Sequence, residues 1–130
     1  MQTTTTWKSG NAFTSTYKGE QIEIDGDGFS PKALLLTGLA GCSGIDLVSL
    51  LEKMRVPFGS VAIDAVTEQT DEHPRVFKAI NLVYRVQTGE ENRDKVAKAI
   101  DLSLEKYCGV AAMLQKNSPI TYTIELLPAA

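Results

Sequence analysis

Residues 33–51 read ALLLTGLAGCSGIDLVSLL, nineteen positions with a single charge, Asp46. A stretch this long and this apolar fits only two settings, the hydrocarbon of a bilayer or a helix buried against other protein. The bilayer is the poorer fit. Asp46 near the middle costs about 2.5–3.5 kcal/mol on insertion, while each Leu or Ile returns only ~0.3–0.6 kcal/mol. Gly38, Gly41, Gly44, Thr37, Ser43 and Ser49 dilute the run further, and no positive flank orients it. The segment is therefore expected to be a core helix buried on almost every side, within a two-layer domain or at a subunit interface. Gly38, Gly41 and Gly44 fall near one helical face, where another backbone can approach closely. Their G-x-x-G-x-x-G spacing inside a helical stretch, with no strand immediately before it, excludes a dinucleotide or phosphate loop.

The flanking sequence places this helix in an α+β frame. Ahead of it, TTTTW (3–7), AFTSTY (12–17) and QIEID (21–25) are short, β-branched or aromatic, and separated by KSGN and KGE, as in an antiparallel meander. Ser30 offers an N-cap and Pro31 suits the first helical position, so the helix, whole or broken near its glycines, runs from there to Met54. Strands follow at 60–69 and 75–87, joined through TDEHP. Thr88 and Glu91 form a T-x-x-E capping box, and Val96, Ala97, Ile100, Leu104 and Tyr107 then recur at helical spacing up to Cys108. CGVAAMLQKNSP has room for one or two helical turns, and ITYTIEL alternates as a last strand. The order is βββ-α-ββ-α-β in one domain over residues 1–130, with no internal repeat.

Charge narrows the partners. Net charge is -3, and the thirteen Lys and Arg are scattered, which excludes a phosphate-binding stripe; nucleic acid is not an expected partner, and neither is a membrane. The start, MQTTTTWKSGN, lacks the apolar core of a secretory signal, so a cytoplasmic location is expected. In a reducing compartment Cys42 and Cys108 are not expected to form a permanent structural disulfide.

Chemistry centres on these two thiols. Cys42 by itself reads as a small buried hydrophobe. Cys108 follows a helix and precedes Gly109, an element boundary where thiols are more often accessible. Two glycine-flanked cysteines permit a peroxidatic and resolving pair without demanding one. Ten residues separate Pro31 from Cys42, so the dipole of an unbroken helix does not reach the thiol. Asp46, four residues on, disfavours a thiolate wherever it is close and unpaired. His73, the one histidine, reads as a solvated turn residue; a metal site or a Cys/His hydrolase built on it has none of the usual ligand spacing.

SPKALLLTGLAGCSGIDLVSLLEKMR and, much later, DLSLEKYCGVAAMLQKNSPITYTIEL resemble the family of osmotically inducible protein C and organic hydroperoxide resistance proteins (OsmC/Ohr), most closely its YhfA-like branch. The resemblance implies an intertwined homodimer, its long central helices buried between antiparallel sheets drawn from both subunits. It implies that Cys42 attacks the O–O bond of a small organic hydroperoxide as a thiolate. Cys108 then resolves the sulfenic acid as a disulfide that a dithiol reductant reopens. No metal, haem or nucleotide cofactor is implied. The family's peroxidases bring an arginine from the N-terminal strands to the reactive thiol and hold it with a carboxylate just after the helix-starting proline. Here no Arg precedes Arg55, and Lys32 follows Pro31. Lys8, Lys18 and Lys32 offer charge without a bidentate guanidinium. The competing expectation is a non-catalytic dimer of the same fold that responds to redox state or binds a small apolar ligand.

Overall fold

Turn chemistry sets the first fold unit. The computed structural model describes residues 1–128, and the chain divides into two compact units, residues 1–37 and the remainder from residue 38. In the first, β1 (Thr4–Ser9), β2 (Ala12–Tyr17) and β3 (Glu20–Asp25) pair antiparallel in the order β1-β2-β3, as the meander pattern predicts. Lys18 (φ +49°) and Gly19 (φ +82°) are both left-handed, the conformation of a two-residue I′ hairpin turn.

Cross-strand register gives this small sheet two unlike faces. Trp7, Phe13 and Ile24 lie in one row, with Ser15 opposite Ile22 in the next. On the other face Thr14 donates to Glu23, which also ion-pairs with Lys8 at 3.1 Å. The apolar face is not covered: Trp7 is 63% exposed and Ile22 51%. The unit ends in the start of α1 (Pro31–Lys53), where the Ser30 hydroxyl accepts from the Ala33 N–H at 3.2 Å with Pro31 in the first turn.

In the second unit α1 continues unbroken through its glycines. Arg55, left-handed at φ +58°, closes it: its N–H bonds the Glu52 carbonyl and the Val56 N–H bonds that of Leu51, a Schellman end. Leu39, Ser43, Leu47 and Leu51, four apart, form the buried stripe. All-round burial of this helix is not what the chain achieves. Ile45 is 74% exposed, because a three-stranded sheet covers only one side of a helix.

β4 (Val61–Gln69), β5 (Phe77–Gln87) and β6 (Ile120–Leu127) form the second sheet, with β5 central. Alternation puts Ile80, Leu82, Tyr84 and Val86 on the buried face; Ile63, Tyr84 and Ile124 share one row. The opposite face is polar, with Arg85 held bidentate by Asp64. β6 runs parallel to β5, so the sheet is mixed rather than antiparallel throughout. The cause is the connection: residues 88–119 form a long helical crossover, which returns the chain to the end where β5 began.

That crossover corrects a second expectation. The Thr88–Glu91 capping box does not form: the Thr88 hydroxyl donates to the Pro57 carbonyl at 2.6 Å and accepts from the Asn92 amide at 3.0 Å. A 3₁₀ turn, Glu90–Asn92, leads instead into α2 (Arg93–Leu102). Val96, Ala99 and Ile100 bury its inner face. A π-helical turn, Ser103–Tyr107, then carries the chain to Cys108, which precedes α3 (Gly109–Gln115).

Candidate functional site

Both cysteines belong to the second unit, and the structure brings them together. Cys42 lies on α1, one residue before the buried Ser43, and is half-buried. Cys108 is only 3% exposed and caps α3, its sulfur accepting from the Ala111 N–H at 3.3 Å. The free Cys108 thiol is pushed up to about 11: burial is the largest cause, the Ala111 N–H opposes it, and the adjoining Cys42 thiol and the Asp46 carboxylate add to it. The two thiols, far apart in sequence, are thus close enough to act on one another because α1 and the crossover meet over the Tyr84 side of the second sheet.

Beneath the thiols lies a chain of hydroxyls ending on a carboxylate. Tyr84 and Ser43 are 2.6 Å apart, and the Ser103 hydroxyl is 2.9 Å from both Ser43 Oγ and Asp46 Oδ2. Tyr84 is pushed up to about 12, burial being the main cause, and its ring meets Tyr122 edge-on at 5.9 Å. Among the described residues no buried side-chain nitrogen or oxygen lacks a partner. Asp46 is therefore a paired carboxylate beside the thiols.

Ser43, Ser103 and Tyr84 were not singled out from the sequence. Their signal was there: a polar residue at a core-facing position of a helix or strand, which must find a buried partner. What a linear reading does not give is the pairing of positions 43, 84 and 103. The other candidates fall elsewhere. His73 lies in the exposed β4–β5 loop, and the described residues hold no His/Cys/Asp/Glu cluster able to ligate a metal. Lys8 is paired with Glu23, and the Lys18 ammonium sits 5.3 Å over the Tyr17 ring.

Comparison with known proteins agrees with the architecture. Residues 24–123 match the family model of OsmC-like proteins. Protein YhfA of Escherichia coli K12 is 40% identical over 135 residues, covering 99% of this chain and all of that one. The OsmC-like protein of Mycoplasma pneumoniae superposes with a TM-score of 0.81 at 17% identity, covering 99% of this chain and 96% of that one. The organic hydroperoxide resistance protein OhrB of Bacillus subtilis does so at 0.64 and 18%, covering 95% and 96%. With the family model matched over most of its length and a full-length relative at 40% identity, the chain belongs to the OsmC-like family.

Proposed function

We propose that this protein is a thiol-dependent peroxidase of organic hydroperoxides, acting in the cytoplasm as a homodimer. Cys42, the more accessible thiol, attacks as a thiolate the distal oxygen of R–O–O–H; the O–O bond breaks and the alcohol leaves with a proton, giving the Cys42 sulfenic acid. The Cys108 sulfur displaces water from it, forming an S–S bond that a dithiol reductant reduces by exchange. The observation that carries this reading is the asymmetry of the pair, a half-buried sulfur on a long helix beside a sheltered one at a turn. Family membership supports a redox or peroxide-related role. The apolar residues flanking Cys42 on α1 favour an organic over a hydrogen peroxide.

Exposed apolar side chains in each unit support the homodimer: Trp7, Phe13 and Ile22 on one face of the meander, and Ile45 on α1 in the second unit. Exposed apolar faces of this kind mark interaction surfaces. The test is stopped-flow oxidation of the reduced protein by cumene hydroperoxide across pH. Cys42→Ser is expected to abolish the fast phase, and Cys108→Ser to stop at a sulfenic acid. Turnover unaffected by Cys42→Ser would sink the mechanism.

The second reading is the non-catalytic, redox-responsive or ligand-binding dimer. It draws on the setting of Cys108, whose burial and nearby Asp46 favour the thiol over the thiolate. Oxidation no faster than that of a free thiol, with both cysteines still pairing slowly, selects it.

A further inference from the structure

Ser103 is bonded at both of its ends to elements that carry the two thiols. It opens the π-helical turn Ser103–Tyr107, a form that is rare and concentrated at functional sites. Its carbonyl accepts from the Cys108 N–H at 2.7 Å, closing that turn. Its hydroxyl reaches α1, at 2.9 Å from Ser43 Oγ and 2.9 Å from Asp46 Oδ2. A serine has one hydroxyl proton, and a carboxylate can only accept. That one proton is shared between the Ser43 hydroxyl and the Asp46 carboxylate, and Ser43 in turn bonds the Tyr84 hydroxyl at 2.6 Å. Ser43 and Ser103 are fully buried, so water does not compete for these bonds.

We propose that Ser103 is the positioning residue of the thiol pair: anchored on Asp46, it clamps the turn carrying Cys108 to the helix carrying Cys42, so that the sulfenic acid formed on Cys42 meets its resolving thiol at once. This rests on reading Cys42 and Cys108 as a working pair. In the step it serves, the Cys108 sulfur bonds to the Cys42 sulfur, the S–O bond breaks, and the hydroxyl leaves as water with the Cys108 proton. The oxidant is the organic hydroperoxide already consumed. Without the clamp the carbonyl bond still closes the turn, but the buried hydroxyl tie from it to Ser43 and Asp46 on α1 is lost. The resolving sulfur then samples a wider volume, and displacements of about 1 Å in such reactions cost up to ~10²-fold in rate.

The experiment oxidises reduced protein with cumene hydroperoxide, then follows Cys42 sulfenic acid by dimedone trapping and disulfide by mass spectrometry. Its readout is the rate of disulfide closure relative to sulfenic acid formation in the same sample. Ser103→Ala is expected to lower that ratio by on the order of tenfold or more, and Ser103→Thr, which keeps the hydroxyl, to restore most of it. Should Ser103→Ala fail to fold, Asp46→Ala and Asp46→Asn replace it. Both remove the charge beside Cys108, but only Asn keeps an acceptor for Ser103, so closure is expected to be slower in the Ala variant. Equal ratios for wild type and Ser103→Ala, or for the two Asp46 variants, overturn the proposal. A wild-type protein that forms sulfenic acid but no Cys42–Cys108 disulfide overturns the pairing itself, a result distinct from loss of the clamp alone.

Discussion

At the scale of single residues, Cys108 links local geometry to global stability. Its thiol, ordinarily near 9.0, is pushed up to about 11 in the folded chain, chiefly by burial. The unfolded chain therefore loses this proton first as pH rises, and it binds fewer protons than the folded one between those values. Its contribution to stability is intact below about pH 9 and is lost as pH climbs towards 11, amounting to about 2–3 kcal/mol. Cys108→Ser, whose hydroxyl can still accept from Ala111 but does not titrate, is expected to flatten that slope in denaturant melts taken at pH 8 to 10. Tyr84 and Tyr122, both pushed up to about 12 mainly by burial, act in the same sense only at higher pH. An identical slope in the two proteins would mean that the Cys108 thiol titrates alike folded and unfolded.

Among the elements, α1 shows how far a pattern can be read. Ser30, Pro31 and the apolar run define its start and extent, because capping and periodicity are local properties. Which flank is buried is not local. Leu47 and Ile45 sit two residues apart with similar hydrophobicity, yet Leu47 is fully buried and Ile45 74% exposed. Leu47→Ala is expected to cost about 2–5 kcal/mol in chemical denaturation, whereas Ile45→Ala leaves the fold of the chain nearly unchanged. Matching losses would place both side chains in one core. The crossover gives the opposite lesson. Thr88 and Glu91 have the spacing of a capping box, but the Thr88 hydroxyl, which in such a box accepts from the Glu91 N–H, instead accepts from the Asn92 amide while donating to Pro57 of a distant turn.

For the whole molecule, the proposed homodimer is expected to cover the meander face that carries Trp7. Light scattering is expected to return twice the 14.1 kDa of one chain. Trp7 is the one tryptophan, and it is 63% exposed in the isolated chain. On dilution its fluorescence should shift to the red as the indole meets water, with Ile45→Ala moving that transition to higher protein concentration. A monomer at all concentrations, emitting as an exposed indole throughout, would refute the dimer.

The sequence by itself determined the elements and their order, including the start and extent of the long apolar helix α1. Those follow from periodicity, capping and turn residues, all of which act over a few neighbouring positions. Tertiary structure decided the rest: the parallel pairing of β6 with β5, the one-sided burial of α1, and the meeting of Ser43, Tyr84 and Ser103 beneath the thiols. Each depends on which distant side chain takes a given hydrogen bond or covers a given face, and that choice is made only when the chain has closed on itself.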